Sequence, residues 1–112
     1  MTVKEICEKC GFDLVISGDT NRNISGVYCC DLLSVVMSKG FEDCAWVTIM
    51  NNLNSVAVAS LIDMSCIVLA GDLPADESLV EKATSQGINV ISSHLPIFET
   101  ALNIHKATNG EI

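Results

Sequence analysis

Four times along this chain a short apolar run stops at a polar or glycine cluster and hands over to a segment of helical spacing. The runs are Gly26-Val27-Tyr28-Cys29-Cys30, Ala45-Trp46-Val47-Thr48-Ile49-Met50, Cys66-Ile67-Val68-Leu69-Ala70 and Ile88-Asn89-Val90-Ile91-Ser92. Each reads as a buried strand, and the roughly ten residues of three-to-four spacing that follow read as a crossover helix. Successive strand–helix units place their strands parallel, because the chain must cross back over the sheet before starting the next strand. The expected fold is α/β: a single domain with a mainly parallel sheet of four to five strands flanked by helices. Ligands of such sheets collect outside the carboxyl ends of the strands, so function is sought there.

The remaining segments fit between these runs. Thr2 to Cys10 reads as a first helix capped by Thr2, with Val3, Ile6, Cys7 and Cys10 in one stripe and Gly11 at its end. Phe12 to Ser17 reads as a short strand. Gly18 to Ile24 is dense in turn formers, holds the single arginine, Arg22, and is expected to be a surface loop. Asp31 stands where an N-cap is needed before Leu32, Leu33, Val35 and Val36, and Gly40 closes that helix. Asn54 or Ser55 is placed to cap an apolar segment, Val56 to Ile62, which reads as a buried helix or, across Asn51 to Asn54, as a hairpin. Pro74 and Asp76 open the next helix, Leu79, Val80 and Ala83 line it and Gly87 ends it. Pro96 starts the last helix, with Ile97, Phe98, Ala101, Leu102 and His105 expected on its packed side. The core is expected to span about residues 12 to 105, with 107 to 112 a frayed tail.

Length and composition exclude several classes. With 112 residues, 49 % of them apolar, the chain holds a real core without disulfides or metal. A net charge of −8 with only six basic residues argues against nucleic acid and anionic membranes, whose phosphates require clustered Lys and Arg. The N-terminus carries Lys4, Glu5, Glu8 and Lys9 and so lacks a signal peptide's apolar centre. No stretch approaches the roughly 18 apolar residues of a spanning helix. These features lead to the expectation of a soluble cytoplasmic protein whose six cysteines are reduced and behave as small hydrophobes.

Candidate chemistry concentrates at the strand ends. Asp31, Thr48, Asn51, Asn52, Asn54, Gly71, Asp72, Ser93 and His94 all fall at or just beyond a predicted carboxyl end. Short polar side chains before helix N-termini make a small anion or nucleotide site, since free N–H groups and the helix dipole point there. The same residue types are what caps and turns require. Ser93, His94 and Asp72 have the residue types of an acyl-transfer trio, but no nucleophile-elbow sequence surrounds the serine. Cys7-Glu8-Lys9-Cys10 is a CxxC pair, yet both cysteines share the stripe of Val3 and Ile6, and no second pair completes four ligands. No Walker loop, GxGxxG, HExxH or kinase signature occurs. A phospho-receiver domain would need an early acidic pair and a late lysine, and an anti-sigma antagonist an Asp-Ser strand end; neither pattern is present. No metal or cofactor is expected.

Three blocks together suggest a family. Tyr28-Cys29-Cys30-Asp31-Leu32-Leu33-Ser34-Val35-Val36-Met37, Ala45-Trp46-Val47-Thr48-Ile49-Met50-Asn51-Asn52-Leu53-Asn54-Ser55-Val56-Ala57-Val58-Ala59 and Ile67-Val68-Leu69-Ala70-Gly71 resemble the DRTGG domain over roughly residues 12 to 105. The Asp-Arg-Thr-Gly-Gly string itself is absent; Asp19-Thr20-Asn21-Arg22-Asn23-Ile24-Ser25-Gly26 retains an Asp, an Arg and a Gly in altered spacing. The resemblance implies an α/β domain similar to the N-terminal domain of HPr kinase/phosphorylase. Such domains also accompany phosphotransacetylase catalytic domains and, beside CBS modules, regulated inorganic pyrophosphatases. In those settings they are regulatory and dimerising parts, and stand-alone versions occur in anaerobic bacteria, sometimes encoded near iron hydrogenase components. The resulting expectation is a non-catalytic regulatory homodimer that binds a nucleotide or phosphometabolite at the strand ends. The alternatives are an adaptor docking a basic protein partner in a redox or sensory complex, and a small hydrolase or transferase using His94.

Overall fold

A computed structural model describes residues 1–111, and Ile112, the end of the expected tail, lies outside the described residues. The elements run α1 (Val3–Cys10), β1 (Asp13–Ile16), β2 (Gly26–Cys29), α2 (Leu33–Lys39), β3 (Cys44–Thr48), α3 (Leu53–Ile62), β4 (Cys66–Leu69), α4 (Glu77–Gln86), β5 (Asn89–Ser92) and α5 (Ile97–Thr108). They form one five-stranded sheet in the order β1-β5-β4-β3-β2. β2 to β5 are mutually parallel in sequential order, and only β1 is antiparallel, with Asp13 opposite Ser92. That exception has a simple cause. Thr2 bridges to Asn23 before the start of β2, so α1 climbs toward the carboxyl ends of the parallel strands. A left-handed Gly11 then turns the chain back, and β1 must descend.

β3 and β4 are buried along their whole length and β5 nearly so, as strands covered on both faces by crossovers must be, while the edge strand β2 is half-buried. Alternate residues feed two separate cores. Trp46, Ile67, Leu69 and Val90 face α2, α3 and α4 through Val36, Val56, Ala59 and Leu79, whereas Ala45, Val47, Val68 and Ile91 face α1 and α5 through Val3, Ile6 and Ile104. The molecule thus has three layers. All the crossovers β2 to β5 lie on one side, as successive right-handed connections in one direction require.

Sequence expectations need correction at four places. Asp31 does not cap α2: Leu32 occupies the cap position without a side-chain bond, and the Asp31 carboxylate is engaged on β3 instead. Segment 53–62 is a helix, and its cap is Asn52, whose side chain accepts from the Asn54 N–H at 2.9 Å, rather than Asn54 or Ser55. On α5 the buried positions are Thr100, Ile104 and Ala107; Ile97 and Ala101 pack against the same core as expected, while Phe98 is 69 % exposed and His105 is exposed, and the Thr100 hydroxyl takes an inward place with partners of its own. The tail is shorter than expected, since Ala107 is buried and the helix continues to Thr108.

The loop from Gly18 to Ile24 is pinned at the end of the sheet opposite the carboxyl rim. Arg22 pairs with Asp43 at 2.8 Å and Asp63 at 2.9 Å, and Ile24 is buried. Gly18 passes so close to the chain that a Cβ there would sit 2.1 Å from the Gly87 carbonyl oxygen, which only glycine avoids.

Candidate functional site

Because β2 to β5 point the same way, the loops after them share one rim, and all nine sequence-predicted residues lie on or beside it. They do not form one constellation. Hydrogen bonds divide them into two groups joined by a bridge.

The first group closes the ends of β2 and β3. The buried Thr48 hydroxyl donates to Asp31 Oδ1 at 2.7 Å, and the Ile49 N–H donates to the same oxygen at 2.9 Å. Thr48 Oγ1 also accepts from the Met50 N–H at 3.1 Å. The Asp31 carboxylate therefore already fills the place where a bound anion would meet these donors. Asn52 caps α3, and Asn54 contributes its backbone N–H to that cap. Asn51 is the bridge: its Oδ1 accepts from the Asp76 N–H at 2.7 Å and its Nδ2 donates to the Pro74 carbonyl, tying the loop before α3 to the loop before α4.

The second group lies between β4 and β5. There the following helices part, α4 to one face and α5 to the other, which is the condition that opens a ligand crevice in an open α/β sheet. Its floor is stitched by backbone bonds: Gly71 N–H to Leu95 O at 2.8 Å, Asp72 N–H to Ser93 O at 2.9 Å and Ser93 N–H to Leu69 O at 2.9 Å. Gly71 and Asp72 adopt consecutive left-handed conformations, φ 77° and 60°, that turn the Asp72 side chain outward. Asp72 Oδ1 lies 2.7 Å from His94 Nδ1, and Asp13 Oδ2 lies 3.5 Å from His94 Nε2. The hydrogen bond to Asp72, followed by its charge and that of Asp13, holds the imidazole protonated above the ordinary histidine range. Above this cluster, α5 starts at Pro96 with no side-chain cap.

Ser93 does not join His94. Its hydroxyl is buried, lies 2.8 Å from Thr100 Oγ1 and accepts from the Leu95 N–H at 3.1 Å, so it faces into the α5 layer. The acyl-transfer trio is thus not assembled. Sequence reasoning missed Asp13, whose place at this rim follows only once β1 runs antiparallel to β5. It also missed Thr100, hidden among apolar neighbours on α5. Among the described residues no buried side-chain polar atom lacks a partner, and no group of three or more His, Cys, Asp or Glu is placed to hold a metal. Cys7 and Cys10 pack against the α1–α5 core, where burial pushes the Cys7 thiol up to about 11. An open groove of about 280 Å³ starts beside the rim at Leu53 and Ser78 and runs down α3 and α4 past Glu81, Lys82 and Ser85. It carries both charges and is smaller than the roughly 300–1,000 Å³ of typical ligand pockets.

These features define a class: a three-layer α/β domain with a mainly parallel five-stranded sheet and an elaborated carboxyl rim. No protein-family profile and no curated protein matches the chain. Its fold is similar to a solved structure, the CBS and DRTGG domains of the regulatory region of Clostridium perfringens pyrophosphatase complexed with its activator diadenosine tetraphosphate. The TM-score is 0.69 at 13 % identity over 95 % of this chain, and the chain spans about half, 46 %, of that structure's length. At that identity the likeness is one of fold, and that neighbour is a regulatory region, not a catalytic one. Among the described residues no helix is long and apolar enough to cross a membrane.

Proposed function

We propose that this chain is a non-catalytic regulatory module of the DRTGG type that works as a homodimer and senses a small anionic ligand of the nucleotide class. The observation that carries the ligand reading is the parting of α4 and α5 between β4 and β5, with His94 and the uncapped first turn of α5 at the same spot. A helix of twelve residues directs its dipole and the N–H groups of its uncapped first turn there, beside the His94 imidazole, whose proton affinity Asp72 and Asp13 raise. The likeness in fold to a regulatory region that binds diadenosine tetraphosphate supports the same class of ligand. The enzyme alternative is disfavoured by the inward-turned Ser93 hydroxyl.

Thermal shift with diadenosine tetraphosphate, ATP, AMP and inorganic phosphate tests the reading. A ligand at 100 times its dissociation constant adds about 2.7 kcal/mol, which at roughly 4 °C per kcal/mol raises the melting temperature by about 10 °C. His94→Ala should abolish most of that rise. Silence of the wild type toward every nucleotide and phosphometabolite overturns the ligand half. One observation favours the adaptor reading: Asp13, Asp31, Asp72 and Asp76 ring the rim, a field suited to a basic protein face. That reading predicts association that weakens steeply with salt and no small-molecule shift.

A further inference from the structure

One exposed dipeptide, away from the rim, carries chemistry of its own. Of the chain's asparagines only Asn109 is followed by glycine, and both residues are exposed. The backbone nitrogen that follows an asparagine can attack the side-chain amide carbon, and glycine hinders that attack least, having no Cβ and free backbone dihedrals. Asn54, followed by serine, offers the contrast. It lies inside α3, with Ser55 buried and its N–H bonded to the Asn52 carbonyl at 3.1 Å.

Asn109 is the residue after α5, and its side chain is held while the backbone beyond it is lightly tied. Nδ2 donates to the His105 carbonyl at 2.9 Å and lies 3.3 Å from His105 Nδ1 and 3.1 Å from His105 Nε2. The Gly110 N–H reaches the Ala107 carbonyl at 3.2 Å and the Glu111 N–H reaches the Lys106 carbonyl at 2.7 Å, at a helix end, where local opening costs least. At ψ 8° the Gly110 nitrogen lies on the side of Asn109's own nitrogen, away from its Cβ. Rotation about that one bond brings it round to the amide. The swing breaks only those two hydrogen bonds, and Gly110, at φ 72°, has no Cβ to obstruct it. Everything before the Asn109 carbonyl stays in place, so the amide remains against the imidazole.

We infer that Asn109-Gly110 is a self-modifying site, an asparagine that deamidates in the folded protein with His105 as the acid. The Gly110 nitrogen gives its proton to hydroxide and bonds to Asn109 Cγ, forming a tetrahedral centre. On collapse the Cγ–Nδ2 bond breaks, and Nδ2 leaves as ammonia with a proton from the His105 imidazolium, which water then restores. Water opens the resulting cyclic imide at either carbonyl, leaving aspartate or isoaspartate at position 109. The product weakens α5. A carboxylate cannot donate to the His105 carbonyl, and its charge sits at the negative end of the helix, where it is unfavourable. Isoaspartate also lengthens the main chain by one carbon. Ageing therefore loosens the last turn, whose Ala107 packs in the α1–α5 core.

The experiment is incubation of the full chain at neutral pH and physiological temperature, then mass spectrometry of the tryptic peptide that starts at Ala107, with circular dichroism confirming the fold. Wild type is expected to exchange the amide for a carboxyl at position 109, with isoaspartate among the products, while Asn54 stays intact. His105→Ala, at an exposed position, should slow the exchange about tenfold, below the usual yield of a general acid because the contact is open to solvent. In strong urea, where the folded contact is gone, the two proteins should convert at the same rate. Conversion at Asn109 no faster than at Asn54 overturns the site. A folded His105→Ala protein that converts at the wild-type rate, or a difference that persists in urea, overturns the part given to His105.

Discussion

Asn89 ties the loop after β1 to the sheet, and replacing it by alanine gives the sharpest test of how this fold is held. Its Oδ1 accepts from the Gly18 N–H at 2.7 Å, and its Nδ2 donates to Asp19 O at 2.8 Å and Ser65 O at 3.1 Å. The side chain is 2 % exposed, so Asn89→Ala strands one donor and two acceptors where water has little access. A buried polar group without a partner costs about 1–3 kcal/mol, the upper part for the interior Ser65 carbonyl and the lower part for the two groups nearer the surface. The expected loss is about 4 kcal/mol, a large share of the roughly 5–15 kcal/mol that holds a domain of this size. The melting temperature should fall by about 15 °C. Trp46, the only tryptophan, is fully buried and donates to Cys30 O at 2.9 Å, so its fluorescence reports unfolding in urea directly. Ser60→Ala, which removes only an exposed bond to Gln86, serves as control and should change stability by less than about 0.5 kcal/mol. A loss below about 1 kcal/mol for Asn89→Ala, no more than one ordinary hydrogen bond, refutes the claim that this amide secures the loop.

At the rim, proton-detected titration should place the His94 midpoint above the ordinary histidine value of 6.5, and Asp72→Asn should bring it back down. A folded-state pKa raised in this way stabilises fully below 6.5 and is lost as pH rises through the folded value, so wild type and Asp72→Asn should converge in stability toward alkaline pH. Both side chains are exposed and salt shrinks the difference; divergence with rising pH contradicts the pairing. On the other side of the rim, Asp31→Ala should cost about 2 kcal/mol by orphaning the buried Thr48 hydroxyl and the Ile49 N–H. Asp31→Asn keeps an acceptor there and should cost less than half as much by the same urea assay, so equal losses argue against the hydrogen bonds as the cause.

The fold was legible in the sequence because its signals are local and agree. The strand β3 is buried along its whole length and reads as a continuous apolar run. Thr2 and Glu5 form the capping box that the Thr-Val-Lys-Glu start announces, and Gly11 and Gly87 end their helices in the left-handed conformation. What was not legible depends on contacts distant in sequence. Asp31 looks like a cap because it precedes a helix, but Thr48, 17 residues away, offers a buried hydroxyl that a local reading does not see. Val56-Ala57-Val58-Ala59 alternates like a strand and left a hairpin open beside the buried helix, and it is the helix that forms, packed against β4, α2 and α4. The rim residues were found by topology and not by motif, which located them on one edge and left their grouping open. Asp13 joined His94 only through the reversal of β1.

That grouping has an electrostatic consequence. Three of the rim's loops already carry a carboxylate bound to the donors an anion would use: Asp31 on Ile49 and Thr48, Asp76 on Ser78, Asp72 on His94. Helix N-termini usually attract anions, but at α4 the cap's own charge has satisfied that attraction, and Asn52 occupies the corresponding place at α3. α5 differs because its cap is Pro96, which has no side-chain acceptor, although Glu99 stands in its first turn and the histidine beside it is paired with Asp72 and Asp13. Under the proposed ligand reading, a phosphate group meets repulsion along the β2–β3 side of the rim, and on the α5 side it must displace Asp72 from His94 to use that charge; the sequential parallel topology, by sending α5 to the opposite face from α4, puts the crevice where that exchange would take place.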